Sequence, residues 1–276
     1  MKISRVAMPI LLTWITAVFG LPLYMALVNT FKTQEQILAD PLGFPAPFTF
    51  NNLINAFSRP DNLIARGLLN STILVVVSVF FIVILSSAIG YYIARNNTRF
   101  TQGLQLLFMA GMMIPAQVYL IPIVQIFRTF HLIGSYFGVL VVFTGGGLLS
   151  FAVFVYTGFI KNIPRELEEA AMIDGANKFQ MFWKILFPLL RPATATVVIF
   201  LTLWIWNEFL MPLILLGPGN GVTITLGVYM SLGQLYTINY GQMFAIMMIA
   251  SFPMLIFFFT FQKEFIAGLL GGSLKG

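Results

Sequence analysis

Long apolar runs alternate with short polar stretches from one end of this chain to the other. A helix needs about 20 mostly apolar residues to cross a bilayer. Six segments meet that length: Val6–Thr30, Gly67–Ala94, Leu104–Phe127, Gly134–Ile160, Pro192–Leu216 and Gly241–Phe261. The pattern predicts an all-α, polytopic membrane protein with six transmembrane helices. The first segment follows a basic start, Lys2 and Arg5, as a secretion signal would. Its apolar run is too long for a signal core and no small-residue cleavage site follows it, so it reads as a retained helix.

The polar stretches predict orientation. Lys2, Arg5, Arg95, Arg99, Lys161, Arg165, Lys178, Lys184, Arg191, Lys263 and Lys275 fall on one side of the six segments, and only Lys32, Arg59, Arg66 and Arg128 on the other. Loops rich in Lys and Arg stay in the cytoplasm, so both termini are expected there. Residues 31–66 then form an external loop, punctuated by proline ("DPLGFPAPFTFNN") and carrying a short surface helix. A second outer loop, residues 217–240, opens with the turn signal "GPGNG" and has no charge. Residues 161–191 form a cytoplasmic loop and 262–276 a cytoplasmic tail. The whole of 1–276 reads as one transmembrane domain.

Composition agrees with the pattern. Only 9% of residues are charged and 59% are hydrophobic, against about 25% charged in soluble domains. Such a chain cannot cover a soluble surface. The net charge of +6 is explained by basic cytoplasmic loops and needs no nucleic acid. The absence of cysteine excludes disulfides and thiolate metal sites.

Against this poverty of charge, one stretch stands out: "PRELEEAAMIDGANKFQMFWKILFP", Pro164 to Pro188, which gathers Glu166, Glu168, Glu169 and Asp174. Its chemistry predicts two short helices. Pro164 suits a first helical turn, the glutamates suit the positive end of the helix dipole, and Gly175 suits a left-handed stop. A second, amphipathic piece places Phe179, Phe182, Trp183 and Leu186 at helical spacing. Two readings stand side by side. The acids cap a helix in a solvated connector, or the segment is a contact surface. The small Ala170 and Ala171 allow close approach, and the aromatic content exceeds what a solvated linker needs.

Glu169-Ala170-Ala171, three residues, Gly175, nine residues, then Ile185 and Pro188 resembles the EAA loop of ABC-importer membrane subunits. The departure is Phe187, where the family pattern has Leu. "WNEFLMPL" after Trp204, the terminal "QKEFIAGLLGGSLKG" and "NTFKTQEQIL" look like the carbohydrate, maltose-type branch. The resemblance implies a type I importer transmembrane domain in the bacterial plasma (inner) membrane, a permease that is not an enzyme. It implies a homologous permease as partner, two cytoplasmic ATP-binding subunits, an external solute-binding protein and a sugar substrate. No cofactor is then bound by this chain, since ATP and magnesium sit on the ATPase subunits. It also implies that Glu168, Glu169, Ala170, Ala171, Asp174, Gly175, Ile185 and Pro188 couple to the ATPase, with Lys275 and Gly276 touching it too.

Glu208 is the acidic residue that falls within a predicted span. Intramembrane charge is costly and usually faces a bundle interior or a watery cavity. With Asn207 beside it and Trp204 and Trp206 as flat faces, one reading is a translocation path through Trp204, Asn207 and Glu208. The other is a buried cluster that locks the span to its neighbours. His131 has no metal-site companions, and "TGGGL" lacks the Lys-Ser/Thr of a phosphate loop, so its glycines read as close helix packing. A glycerol-phosphate permease, an ion-coupled secondary transporter and a membrane enzyme are the alternatives. The first asks for basic residues in the path, the second for coupling residues beyond Glu208, and the third for a catalytic constellation that the sequence does not display.

Overall fold

The computed structural model describes residues 7–232 and 238–273. Among the described residues every regular element is helical. Three helices are long and apolar enough to cross a membrane alone: α1 (Ala7–Thr30), α4 (Leu63–Arg95) and α14 (Tyr240–Ser273). A fourth crossing is the run Tyr136–Lys161, made of α7 (Tyr136–Gly145) and α8 (Gly147–Lys161). Two further runs qualify only as bent pairs. In one, α5 (Arg99–Met113) meets Ala116–Thr129, which ends in α6 (Leu120–Thr129), at 94°. In the other, α10 (Lys178–Leu189) meets α11 (Arg191–Asn207) at 72°. Among the described residues the candidate spans therefore number four, or up to six if each bent pair is one span.

Two expected spans are not straight. The third bends because Ile114, held extended at φ −82°, ψ 113°, precedes Pro115, whose ring disfavours helical backbone at the residue before it. The fifth, expected to run through Leu216, stops at Asn207. Glu208 is extended at φ −67°, ψ 125°, and α12 (Leu210–Asn220) begins beyond it. Pro212 lies four residues past Glu208 and has no N–H for its carbonyl, so a helix through the break would lose that bond. Pro22 and Pro253 sit inside α1 and α14 without ending them, as membrane helices allow.

Two compact units emerge. One holds the chain up to Leu69 with Val222–Ile256. Its core gathers Ala56, Leu63, Ile64, Ala245 and Ile246. The expected loop after α1 contains two short helices, α2 (Gln34–Ala39) and α3 (Asn51–Phe57). Thr33 and Gln36 form a capping box at the start of α2, and the buried Lys32 ammonium donates to the Asp40 carbonyl at its end, 2.7 Å away. Gln34 clips α2 to α14 by donating to the Ile238 carbonyl and accepting from the Tyr240 amide. Gly67 lets α4 approach α13 (Ile224–Ser231), since a Cβ there would lie 3.1 Å from Ile224 Cα.

The other unit holds Asn70–Gly221 and the chain from Phe257. Its helices meet through small residues. A Cβ on Gly111 of α5 would fall 2.7 Å from Ser150 Oγ of α8, and one on Gly90 of α4 would fall 2.9 Å from Tyr156 Cβ. Gly147, from the glycine run, faces the Gly111 carbonyl. Bilayer helices associate through such packing because lipid is as apolar as their own side chains. It also fixes the Arg95 end of α4 beside the chain that leaves α8.

Candidate functional site

The acid-rich stretch folds as α9 (Glu166–Ile173), with Arg165 at its N-cap and Pro164 one residue outside, not in the first turn. Glu166, Glu168 and Glu169 occupy that first turn. Gly175 takes φ +85°, the left-handed conformation that glycine adopts without cost. The Gly175 and Ala176 amides turn back onto the Met172 and Ala171 carbonyls.

The two sides of α9 differ. Glu168 and Ala171 are buried. Glu168 Oε1 accepts from Arg95 Nε at 2.6 Å, and each side chain is 10% exposed. The Tyr91 hydroxyl donates to Glu168 Oε2 at 3.1 Å. The same Arg95 donates through Nη2 to the Ile163 carbonyl, while Arg165 Nη2 donates to the Arg95 carbonyl, both at 3.0 Å. On the other side Glu169, Ala170, Asp174 and Gly175 are exposed, as are Leu167, Met172 and Ile173, the last at 86%. The acids that the sequence groups together are thus divided: Glu168 is tied inward to α4, and Glu169 and Asp174 face out. Ala171 likewise packs inward, leaving Ala170 as the small residue at the surface.

The second piece, α10, starts with Asn177 and Gln180 capping each other and widens to a π-helical turn over Met181–Leu186. Phe182 and Leu186 are buried and Phe179 is 72% exposed. The Tyr91 ring packs on Phe182 with centroids 5.4 Å apart, and Phe182 and Phe187 flank Trp183 at 5.0 Å. Ile185 is half-buried and Pro188 exposed. Tyr91 thus touches both arms of the loop, by its hydroxyl on α9 and by its ring on α10.

A second constellation surrounds the break at Glu208. Its Oε1 accepts from the Leu210 and Met211 amides at 2.9 and 3.1 Å, so the carboxylate caps α12. Glu208 and Trp204 line a cavity of about 330 Å³, together with Tyr119, Phe143, Phe151 and Met211. Trp204 meets the Phe151 ring edge-on at 4.9 Å. Asn207 does not line the cavity; it is exposed, and its Nδ2 donates to the Leu203 carbonyl. Trp206 is buried outside it. The cavity offers flat aromatic faces and one carboxylate edge and, among the described residues, no cation. Tyr91, Arg95, Tyr119 and Phe151 carried no local signal. Arg95 reads in sequence as one more basic residue at a span end, and the others sit in apolar runs. Lys2, Arg5, Lys275 and Gly276 lie outside the described residues. Among the described residues, no group of three or more His, Asp and Glu is arranged to hold a metal.

Residues 86–269 match the family described as "binding-protein-dependent transport system inner membrane component". A probable starch degradation products transport system permease protein of Thermoanaerobacterium thermosulfurigenes is 32% identical over 96% of both chains. A multiple sugar-binding transport system permease protein of Streptococcus mutans is 34% identical, covering 92% of this chain and 91% of its own. Among solved structures, a bacterial ABC transporter involved in the import of the acidic polysaccharide alginate shares the fold. The TM-score is 0.83 at 20% identity, over 95% of this chain and 96% of that one.

Proposed function

This chain belongs to the family of binding-protein-dependent transport system inner membrane components, and from that footing we propose that it carries an oligosaccharide or related polyol across a bacterial plasma membrane. It is a multi-pass membrane permease of an ABC importer, not an enzyme, and such a permease works with ATPase and solute-binding components. In the reading proposed here, its partners are a homologous permease, two ATP-binding subunits and an external binding protein. The chain acts as a single domain, since one family match takes in helices of both compact units. Both termini and the loop between α8 and α11 are cytoplasmic.

The observation that carries this reading is α9 itself. A capped helix leaves Ala170, Met172 and Ile173 bare, and exposed apolar groups rimmed by charge mark an interaction site. ATPase closure pushes this helix and swings the spans between their two states. Glu169 and Asp174 orient the contact, Ala170 permits close approach, Gly175 makes the turn, and Ile185 and Pro188 hold the second arm. Trp204 and Glu208 line the path. Sugar rings stack on Trp204 and hydroxyls donate to the carboxylate. A phosphate ester is disfavoured, because the cavity presents Glu208 and, among the described residues, no cation.

The test is uptake in proteoliposomes holding this chain with its co-purified partners, using the sugar that raises the melting temperature of the binding protein. ATP-dependent uptake is expected. Gly175→Leu is expected to abolish it while the chain still reaches the membrane. Normal uptake by that variant, or uptake driven by an ion gradient without ATP, overturns the reading.

A further inference from the structure

The structure assigns Arg95, Glu168 and Tyr91 as positioning residues: a buried ionic clamp that makes the ATPase-facing helix α9 and the end of α4 move as one body. The inference rests on the proposed reading of α9 and adds the route by which its displacement enters the membrane.

The covalent route from α9 leads to α8 and, through α10, to α11. The clamp adds a third, to a helix distant in sequence. Glu168 Oε1 sits 2.6 Å from Arg95 Nε, and its Oε2 receives the Tyr91 hydroxyl. Arg95 also holds the Ile163 carbonyl just ahead of α9, and Arg165 at the α9 N-cap holds the Arg95 carbonyl in return. Bonds thus run in both directions between the last residue of α4 and the first turn of α9. The Tyr91 ring against Phe182 adds the α10 arm. α4 has 33 residues, about 50 Å at 1.5 Å per residue, so a tilt imposed at Arg95 reaches the whole membrane depth.

Stability alone does not explain such a pair. Replacing a buried ion pair by well-packed apolar residues is often neutral or stabilising. What the pair supplies is direction. Several hydrogen bonds fix the angle between two helices that apolar contact would let slide. Glu168 is therefore a transmission residue, while the neighbouring Glu169 faces the ATPase.

The test uses the purified complex and measures bound ATPase, ATP hydrolysis and sugar delivered per ATP. Glu168→Gln and Arg95→Gln are expected to retain the ATPase at parental stoichiometry, with sugar per ATP down roughly tenfold, within the range of coupling effects. Arg95→Lys keeps the charge and is expected to recover most of that loss. If the glutamine variants do not accumulate, R95L/E168L supplies a folded complex without the ionic bonds, and it too is expected to hydrolyse ATP with little transport. Parental sugar per ATP in E168Q or in the double leucine variant overturns the clamp. Release of the ATPase by E168Q also overturns it, by placing Glu168 at the subunit contact. Ile173→Asp separates the underlying reading: it is expected to release the ATPase, and if it leaves binding and uptake intact, α9 is not the docking helix.

Discussion

Glu168 and Glu208 are both acids in a chain that has few, and the protein satisfies them in opposite ways. Glu168, in the first turn of α9, lies against the end of α4, where the Arg95 guanidinium balances its charge and the Tyr91 hydroxyl donates to it. Glu208 lies at a break between two apolar helices and accepts from two backbone amides at the start of α12. The same side chain is a tie between distant helices in one place and a local cap in the other. Place in the fold decides. At the end of α4 an arginine side chain is at hand, whereas at the break the start of α12 offers the spare N–H groups and positive dipole end of a helix N-terminus.

The contrast breaks most visibly at Arg95. Arg95→Leu leaves Glu168 buried without its counter-charge, and the expected loss is about 3–5 kcal/mol, with the double leucine variant recovering most of it. Thermal unfolding in detergent reads both values. At Glu208 the effect is smaller. Glu208→Ala strands two amides and is expected to cost about 2 kcal/mol. Glu208→Gln keeps an acceptor oxygen, so its melting temperature is expected to stay near the parent. Equal losses in the two variants would show that charge, and not capping, is what α12 requires. Uptake sharpens this further: a sugar path through Glu208 predicts that E208Q transports less at unchanged stability. The smallest change is Tyr91→Phe, which removes one hydrogen bond and keeps the ring on Phe182. A loss of about 1 kcal/mol and a modest drop in sugar per ATP are expected, smaller than in Glu168→Gln.

Two proline contexts show what could be read in advance. Pro115 marks the first bend openly, because the residue before a proline is pushed from helical backbone. Pro212 marks the second from a distance: the break appears at Glu208, four residues earlier, where the missing amide would have bonded. Both signals were present within runs that hydropathy alone treats as continuous. Pro22 and Pro253 show the limit of the rule, since α1 and α14 pass through them unbroken. Whether a proline bends or breaks a span depends on what else satisfies the freed carbonyl, and that is a property of neighbours.

The sequence by itself determined that this chain is helical and membrane-embedded, because twenty apolar residues have few other stable places and the bilayer demands internally bonded backbone. It also determined the turn at Gly175, since φ +85° is a local cost that glycine avoids. Tertiary structure alone decided which acid of the cluster turns inward, that Arg95 serves Glu168, and that Trp204 shares a cavity with Tyr119 and Phe151 while Asn207 does not. Those pairings join residues tens of positions apart. They depend on how α4, α8 and α11 pack, and in a membrane that packing is set by small residues such as Gly90 and Gly111 meeting their partners, not by a hydrophobic pattern that a single strand of sequence displays.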